Sequence, residues 1–416
     1  MNKETSHRRA VVIGGGIGGL AAGVGLTRSG WQVVVVERAP ALEPVGAGLV
    51  LWPNGVAALG ALGLDDVARD AGRTLAGTGI RRASGRWLSR TDGSRLARRH
   101  GHGLLAVTRA DLVDLLARAL PDGVLRLGTA VTDVRPCDDD TGAEVGCGDE
   151  TLRADVVVAA DGMGSAVRRR LWSEHPAAGY RRYTTWRALA DARGLDLGDA
   201  AAETWGRGER FGVVPLPGGR TYVYATAPAD AGAVASDPAS ELADLLRRFG
   251  RWHAPIPALL ARIQPDDLLR HEVLSLEPPV RRRVRGRVAL LGDAAHGMEP
   301  NLGQGACLAL EDAVTLSALL TELPVTSALD RYSAARAVRV TPLSRQSRVL
   351  GLATSTRSRA LTALRDAAVL CAPDAVSLRG FDGAAGWRPP ALTPDTARTP
   401  ETALDRAGRD ESPLSR

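Results

Sequence analysis

Apolar and polar positions near the start of the chain predict a β-strand, a helix and a second β-strand in close succession. Residues 9–13 and 32–36 are short apolar runs typical of buried strands, and residues 20–29 have the pattern of a helix. A glycine-rich turn over residues 14–19 joins the first strand to this helix. Such a strand–helix–strand order predicts the beginning of a parallel sheet.

Farther along, β-rich and α/β patterns alternate. Residues 81–99, with turns at Ser84-Gly85 and Asp92-Gly93, predict exposed antiparallel strands. Residues 180–224 are β-rich and hold a disproportionate share of the aromatic residues, which either form a core or line a pocket. The other predicted elements are strands over 130–134, 155–159 and 287–291, and helices over 111–120, around 307–320 and from residue 327 onward.

The strand–helix signal therefore occurs at three separated places, with β-rich sequence between them. A chain of 416 residues suits two intertwined domains, so we expect an α/β fold. The expected nucleotide-binding domain is assembled from residues 1–75, 103–175 and 275–350. The second domain, built on an antiparallel sheet, takes residues 76–102 and 176–274. A C-terminal helix and a flexible tail rich in Pro, Thr, Arg and Asp occupy residues 351–416.

Charge and composition narrow the function classes. The formal net charge is +6, but nearly all of the 53 basic residues are arginines interspersed with Asp and Glu, so we expect no nucleic-acid partner. Lys3 is the only lysine, which excludes a Schiff-base or P-loop lysine farther along the chain. The densest basic stretch forms either a solvated face or a surface that steers an anionic substrate, and consists of Arg81, Arg82, Arg86, Arg90, Arg95, Arg98 and Arg99.

Cysteine and histidine usage points away from disulfides and metals. The four cysteines form no Cys-x-x-Cys pair, and the seven histidines lack metal-ligand spacing, so we expect free thiols and no metal. No secretory signal is visible, and no apolar run approaches the roughly 18 residues of a membrane span. These features predict a cytoplasmic protein without a membrane span.

The glycine-rich turn fits the pattern Gly-x-Gly-x-x-Gly of dinucleotide-binding folds. Gly14 allows a tight turn, Gly16 lets a pyrophosphate approach the backbone, and Gly19 lets the helix pack on the strand. The N-terminus of the helix offers free N–H groups and a positive dipole end to the phosphates. Glu37 follows Gly16 by 21 residues (37 − 16), the spacing of an acidic residue that binds a ribose diol. Together these features predict a bound dinucleotide.

Two further runs follow apolar strands. In the run ADGMGS, residues 160–165, Asp161 either caps the next helix or contacts a ligand. In GDAAH, residues 292–296, Asp293 lies at the carboxyl edge of the sheet, where open α/β folds bind ligands. The turn in PNLGQGA, residues 300–306, starts a long helix whose positive end could stabilise an anion. His296 is either a general base or, more simply, a packing and hydrogen-bonding residue.

Together the three runs resemble the flavin-dependent aromatic hydroxylases, the single-component para-hydroxybenzoate-hydroxylase-like monooxygenases, over roughly residues 10–350. The closest resemblance is to the salicylate, urate and zeaxanthin-type members. The segments YTTWR (183–187), ETWGRG (203–208) and FGVVPL (211–216) belong to the same pattern. The resemblance implies a Rossmann-type FAD-binding domain, an inserted antiparallel β-sheet substrate domain and a C-terminal helical region.

The same resemblance assigns residues to FAD. Glu37 would bind the adenosine ribose, Val131 would lie by the adenine, and Arg109 would reach the phosphate and ribityl region. Asp293 would bind the ribityl chain, and the Asp161 motif would serve both FAD and NAD(P)H. The complete expected set is Gly14, Gly16, Ile17, Gly19, Glu37, Arg38, Ala47 (in the Gly46-Ala47-Gly48 loop beside the isoalloxazine), Arg109, Val131, Asp161, Asp293, Gly303, Gln304 and Gly305.

The implied reaction is a monooxygenation. NAD(P)H reduces FAD, oxygen adds at the flavin C4a position, and the hydroperoxide hydroxylates or epoxidises a small aromatic or polyketide/alkaloid-type substrate. Arg187, Tyr222 and Tyr224 are candidates for the acceptor or cation that favours a phenolate, and Pro300 would face the reactive flavin edge. Arg187 could equally form a surface salt bridge. Because the sequence has no second Gly-x-Gly-x-x-Gly unit, NAD(P)H is expected to bind transiently. The protein is expected to be a monomer or a homodimer.

Three other functions share parts of this pattern. A flavin-dependent halogenase needs a lysine near the substrate and a Trp-x-Trp-x-Ile-Pro run, and this sequence has neither. An FAD-dependent dehydrogenase or oxidase without oxygen insertion is the main alternative, and a non-catalytic FAD-binding sensor is another. Incorporation of labelled oxygen coupled to NAD(P)H consumption separates a monooxygenase from both.

Overall fold

Nineteen strands form the sheets within the residues described by the computed structural model, which are 8–42, 47–137, 141–233, 237–372 and 374–392. In chain order they are β1 (Arg9–Ile13), β2 (Gln32–Val36), β3 (Gly48–Leu51), β4 (Arg73–Leu75), β5 (Gly77–Arg82), β6 (Trp87–Asp92), β7 (Leu104–Thr108), β8 (Leu125–Arg126), β9 (Asp133–Pro136), β10 (Ala143–Cys147), β11 (Glu150–Ala154), β12 (Val156–Ala159), β13 (Gly179–Asp191), β14 (Ala200–Trp205), β15 (Arg210–Pro215), β16 (Arg220–Pro228), β17 (Leu269–Ser275), β18 (Val284–Arg285) and β19 (Val288–Leu290).

Helices cover the sheet faces and form the C-terminal region. In chain order they are α1 (Ile17–Arg28), α2 (Pro53–Ala61), α3 (Asp65–Ala71), α4 (Gly93–His100), α5 (Arg109–Arg118), α6 (Ala166–Leu171), α7 (Pro238–Phe249), α8 (Ile256–Leu260), α9 (Asp293–His296), α10 (Gly305–Glu322), α11 (Val325–Thr354), α12 (Arg359–Cys371) and α13 (Asp374–Ala385).

A six-stranded sheet in the order β18-β19-β12-β1-β2-β8 carries the nucleotide-binding motifs. Strand β1 pairs in parallel with β2 and β12, and β12 pairs in parallel with β19. The strands are valine-rich because helices and a second sheet bury both faces. The carboxyl ends of β1, β12 and β19 therefore meet at one edge, although they are far apart in the sequence.

A seven-stranded sheet in the order β17-β13-β16-β15-β14-β5-β6 forms the second layer of the molecule. One face packs against α7 and α8 through a cluster that includes Trp186, Phe211 and Phe249. The opposite face packs through Tyr222 and Val214 on the small sheet β3-β7-β4, so it faces the nucleotide-binding part. The aromatic residues of 180–224 thus divide between a core and a face that is turned to the rest of the molecule.

The structure corrects two predictions of local structure. Residues 93–100 are helix α4 rather than exposed strand, because the Asp92 carboxylate accepts hydrogen bonds from the N–H groups of Ser94 and Arg95 and caps the helix. The strand predicted over 130–134 begins only at Asp133. Residues 84–85 do form the predicted hairpin turn between β5 and β6.

Several arginines of the dense basic stretch have structural contacts. The guanidinium groups of Arg81 and Arg90 lie 3.9 and 4.2 Å from the ring centroid of Trp87. Arg82 pairs with Asp366, and Arg99 pairs with Asp382. Arg81 and Arg90 thus pack on β6 of the seven-stranded sheet, and Arg82 and Arg99 connect β5 and α4 to the C-terminal helices.

The C-terminal region contains more helix than the single helix predicted. The end of α11, α12 and α13 all lie beyond residue 350, and the tail predicted to be flexible falls largely on residues 393–416, outside the described part of the chain. The four cysteines are free thiols, as predicted. Within the described ranges, we find no helix with the length and apolar character needed to cross a bilayer.

Candidate active site

The three glycines of the first motif each have a different environment. Gly14 has φ +109°, and a Cβ there would lie 2.5 Å from the Ala160 carbonyl oxygen. A Cβ on Gly19 would lie 1.9 Å from the carbonyl oxygen of Gly14, so this glycine lets α1 approach β1. A Cβ on Gly16 would meet no atom within 4 Å, so an open space lies beside it. The turn therefore offers open space for a ligand at its second glycine only.

The N-terminus of α1 opens onto this space. Gly16 is its N-cap, and no side chain of the described residues caps the helix there. At the end of β2, the Glu37 carboxylate accepts hydrogen bonds from the N–H groups of Gly15 at 2.6 Å and Ala39 at 2.9 Å. Ile17 is buried beneath the turn, and Arg38 is exposed beside it. The free first-turn N–H groups are suited to a pyrophosphate.

The second motif contributes an unpaired acceptor. One oxygen of Asp161 accepts a hydrogen bond from the Val167 N–H at 3.2 Å, while the other, Oδ1, is buried without a partner among the described residues. The N-cap of α6 is Ser165, which accepts from the Arg168 N–H at 2.9 Å. Because an unpaired buried oxygen is costly, Asp161 Oδ1 is suited to a ligand hydroxyl or amide.

The third motif brings Asp293 and the start of α10 together. Asp293 is the exposed first residue of α9, and a Cβ on Gly305 would lie 4.0 Å from its Oδ1. Gly303 has φ +62°, which turns the chain into α10. The buried Gln304 side chain accepts a hydrogen bond from Asn54 at 2.9 Å, so it holds α2 to α10. The Nε2 group of Gln304 is buried without a hydrogen-bond partner among the described residues.

Arg109 lies near enough to Asp293 for the two charges to interact. It is the first residue of α5, and its N–H donates to the Ala47 carbonyl oxygen at 3.0 Å. Its side chain is accessible to solvent, yet desolvation by the surrounding protein lowers the pKa of its guanidinium. The charge of Arg187 lowers this pKa further, whereas the charge of Asp293 raises it. A side chain that is both exposed to solvent and closely surrounded by protein is typical of the lining of an open cleft.

Two more predicted residues flank this cleft. Val131 is half-buried against the core of the six-stranded sheet, and the N–H of nearby Thr129 donates to the Glu37 carbonyl oxygen at 2.8 Å. This bond holds the 129–131 segment beside the predicted ribose site. Pro300 begins an exposed turn of 3-10 helix between α9 and α10. Gly46 lies outside the described residues, so of its predicted loop only Ala47 and Gly48 can be located.

One face of the seven-stranded sheet forms the other side of the candidate site. Arg187 of β13 lies directly opposite Tyr224 of β16, so both side chains share this face. The ring centroids of Tyr222 and Tyr224 are 5.5 Å apart. A Cβ on Gly212 would lie 2.0 Å from the Tyr224 ring, so the glycine allows the ring to lie flat on β15. The face thus presents paired rings next to a cation.

A hydrogen-bonded network joins this face to the Pro300 turn. The Tyr224 hydroxyl and the Trp205 indole N–H both donate to the Glu203 carboxylate at 2.5 Å. On the neighbouring strand, Arg210 donates to the Asn301 side-chain oxygen at 2.6 Å. Burial and the Glu203 charge raise the pKa of Tyr224 well above its usual value. Tyr224 therefore stays protonated as a donor, and Glu203 is the acceptor of the cluster.

Tyr183 extends the network to the loop that precedes α10. Its hydroxyl donates to Glu299 at 2.8 Å and approaches the Asn301 oxygen at 3.3 Å. The Asn301 amide donates to the same Glu299 at 3.0 Å and to the Ser347 carbonyl oxygen at 2.9 Å. Asn301 therefore fixes the position of the turn relative to the sheet and to α11.

Basic side chains from three elements face the cleft. Burial, followed by the charges of Arg187 and Arg109, lowers the pKa of His271 on β17. A neutral His271 beside two arginines leaves the cleft with positive charge, partly balanced by Asp293. This environment favours a ligand that carries negative charge or strong acceptors.

His296 has a structural position. It is buried, and its Nε2 lies 2.6 Å from Asp312, which also accepts from the Gly292 N–H at 2.9 Å. Burial acts to raise the pKa of Asp312, but the charges of Arg336 and His296 hold it well below its usual range. This geometry supports the packing interpretation of His296 over that of a general base.

Sequence patterns had not singled out several of these polar residues. Tyr183, Glu203 and Asn301 stand inside the quoted segments without a predicted role, and the remaining two, Arg210 and His271, lie outside them. Their shared face becomes visible only from the strand register, which pairs Glu203 with Gly212 and Gly212 with Tyr224.

Two surface cavities lie away from the motif residues. One, of about 700 Å³, is lined by Arg82, Trp205 and Trp252 among others, and a second of about 430 Å³ lies between α11 and α12. Neither is lined by residues of the glycine or aspartate motifs. We locate the cofactor site from the glycine turn and the unpaired Asp161 oxygen instead, because these have the chemistry that a dinucleotide requires.

Comparisons with known proteins agree with this geometry. The FAD binding domain family model matches residues 8–347. The aurachin C monooxygenase/isomerase of Stigmatella aurantiaca is 40% identical over 330 residues, covering 79% of this chain and 85% of that protein. The FAD-dependent urate hydroxylase of Klebsiella pneumoniae is 36% identical over 343 residues, covering 80% and 87%. The structure of Klebsiella pneumoniae HpxO complexed with FAD and uric acid has a TM-score of 0.84 and 33% identity, covering 90% of this chain and 96% of that one. The chain thus belongs to the FAD-dependent aromatic hydroxylase family and is an FAD-dependent monooxygenase.

Proposed function

We propose that this monooxygenase uses NAD(P)H and O2 to hydroxylate a planar aromatic or heteroaromatic substrate that carries an acidic or anionic group. The observation that carries the proposal is the Glu203–Tyr224 pair beside Arg187 on the sheet face that is turned to the cofactor cleft. Paired tyrosine rings suit a flat substrate, and an acceptor next to a cation suits a ring with an ionisable O–H or N–H.

Bound FAD supplies the redox chemistry and the activation of oxygen, and NAD(P)H serves as the electron source. The chain's own residues orient the substrate and polarise its O–H or N–H group. The N–H groups at the start of α10 stabilise negative charge in the cleft. Glu203 accepts the proton of the substrate O–H or N–H, and Arg187 stabilises the resulting anion. Removing that proton makes the ring carbon electron-rich, which favours attack on an electrophilic oxygen.

Related proteins support a substrate of this kind. One relative is named as a urate hydroxylase, and the HpxO structure contains uric acid, which is a flat heterocycle with acidic N–H groups. The positive charges of Arg109 and Arg187, beside a neutral His271, suit an anion of this general type.

The test is a screen of phenols and N-heterocycles with the FAD-loaded enzyme, scored by substrate-dependent NAD(P)H consumption and by mass spectrometry under ¹⁸O₂. The proposal expects one ¹⁸O atom in the product for each NAD(P)H consumed with the best substrate. Oxidised product without ¹⁸O would instead assign a dehydrogenase or oxidase activity.

Substitution of Arg187 tests the substrate role separately. Arg187→Ala should raise the substrate KM by about tenfold or more, as expected for a lost charge-assisted contact. Flavin reduction without substrate should be unchanged. Arg193→Ala, at an exposed position just beyond the same strand, is the matched control. An unchanged KM in the Arg187 variant would contradict the assignment.

A further inference from the structure

Exposed apolar side chains concentrate on two C-terminal helices. Val338, Val349 and Leu352 of α11 have exposed fractions of 78%, 64% and 67%. Leu361 and Leu364 of α12 are 56% and 68% exposed. The exposed large apolar residues described on other elements are scattered singly. An apolar surface of this kind marks a site of interaction with something outside the chain.

On α11 these residues form one stripe. Val338, Arg345, Val349 and Leu352 follow one another at spacings of seven, four and three residues, which places them on the same side of a helix. Helix α12 is apolar along much of its length, yet among its side chains only Asp366 is buried. A helix of this composition would normally bury its apolar residues.

The two helices form one continuous surface. An open groove of about 430 Å³ runs between them, and it is lined almost wholly by apolar side chains, including Leu350, Leu352, Leu361, Leu364 and Val369. The leucines of α11 and α12 therefore lie on a single patch, which we call the α11–α12 face.

Arginines surround the α11–α12 face. Residues 338–371 contain six arginines and a single acidic residue, Asp366, which gives a net charge of +5. Arg345, Arg357 and Arg359 are exposed there. The other three arginines pair with acidic residues, Arg339 with Glu311, Arg348 with Glu277 and Arg365 with Asp366. Because these ion pairs balance three of the six arginines, the patch is apolar at its centre and carries the three exposed arginines at its margin.

This combination selects among possible partners. A second copy related by a two-fold axis would bring like-charged surfaces into contact, which opposes association. Leucine and valine side chains next to arginines are typical of helices that lie in the headgroup region of an anionic bilayer. We infer that the α11–α12 face docks on the surface of an anionic lipid bilayer. The inference does not depend on which substrate the enzyme hydroxylates.

Co-sedimentation of the FAD-loaded full chain with vesicles tests this inference. Vesicles of phosphatidylcholine with roughly 30% phosphatidylglycerol provide the negative surface charge that the arginines require. Pure phosphatidylcholine vesicles are the neutral comparison. The protein should sediment with the anionic vesicles only, and less so in about 1 M NaCl, where the Debye length falls to about 3 Å.

Two variants separate the apolar and the basic contributions. Arg345→Gln/Arg357→Gln/Arg359→Gln should lower the partition coefficient by about 100-fold, since each arginine contributes roughly a factor of five near an anionic surface. Leu361→Ser/Leu364→Ser should lower it by about tenfold or more. Val67→Ser/Leu246→Ser removes exposed apolar side chains elsewhere and should bind as the wild type does.

Three outcomes would overturn the inference. The first is no sedimentation of the wild type with anionic vesicles, and the second is equal partition of the Leu361/Leu364 variant and the wild type. The third is that light scattering shows a homodimer for every protein except the Leu361/Leu364 variant, which is monomeric. This result would assign the α11–α12 face to a second copy of the chain. Because these side chains are exposed, FAD content and melting temperature should match the wild type in every variant, which keeps a folding defect from imitating lost binding.

Discussion

Replacing Gly16 by alanine should separate cofactor binding from folding. A Cβ at this position meets no atom within 4 Å, and the backbone has φ −79° and ψ 178°, which any residue adopts. The apo protein should therefore fold with almost unchanged stability. The same methyl group occupies the space beside the free N–H groups of α1, where the FAD pyrophosphate would have to approach.

The size of the effect follows from the contacts that the pyrophosphate would lose. A hydrogen bond to a charged group contributes about 1.5–3 kcal/mol, and the interaction with a helix N-terminus about 0.3–1 kcal/mol. Their loss amounts to about 2–4 kcal/mol, or a rise of about 30- to 700-fold in the Kd for FAD. Gly19→Ala should behave differently, because its Cβ would lie 1.9 Å from the Gly14 carbonyl oxygen and force α1 away from β1.

The assay is a titration of apo protein with FAD, followed by quenching of flavin fluorescence, together with the melting temperature of each apo protein. Gly16→Ala should lose affinity and keep its melting temperature, whereas Gly19→Ala should lose both. Gly380→Ala on α13, outside the three motifs and at another position where a Cβ meets no atom within 4 Å, serves as the control. A Gly16→Ala protein that binds FAD within twofold of the wild type would refute the reasoning.

Three further predictions concern the proposed role of Glu203, the buried core and the thiols. Glu203→Gln should lower kcat/KM by about 100-fold with little change in the Kd for FAD, because it removes the carboxylate proposed to accept the substrate proton beside Tyr224. Equal turnover would remove its role as acceptor. Asp312→Ala should lower the free energy of unfolding by about 3–5 kcal/mol, because it removes one of the acidic partners of buried Arg336. The control Asp114→Ala breaks an exposed pair with Arg118 and should lower it by about 0.3–0.5 kcal/mol. Since the folded-state pKa of Asp312 is depressed, its contribution is complete above about pH 3.9 and is lost as the pH falls below that value, so urea unfolding across this range should show the two proteins converging in acid. Burial raises the pKa of Cys307 to about 12, so iodoacetamide at pH 8 should alkylate exposed Cys371 and leave Cys307 unmodified until the protein is unfolded, as mass spectrometry can show.

The nucleotide-binding part follows from local sequence to a large degree. The roles of Gly14, Gly16 and Gly19 depend on backbone geometry over six residues, which the pattern specifies directly. Convergence of Asp161 and Asp293 was also predictable, because each follows a short apolar strand of a parallel sheet. The FAD-binding family is confirmed by the comparisons.

The substrate side of the site was harder to predict because it depends on pairing between distant strands. Glu203 and Tyr224 meet through the register of β14, β15 and β16, in which a shift of one residue would turn each side chain to the other face. Helix α4 was missed for a different reason. Its arginines alternate with other residues in a way that is typical of an exposed strand, and the feature that indicates a helix is the Asp92 cap.

The parallel order of β2, β1, β12 and β19 has a consequence for protein synthesis. Strand β1 can pair with β2 as soon as both leave the ribosome, but its other neighbour is β12, and β19 arrives only at residue 288. At about 5–20 residues per second, translation reaches that point roughly 15–60 s after it starts. The nascent chain therefore carries an exposed, incomplete sheet edge for most of its synthesis, and flavin can be captured in full only near the end.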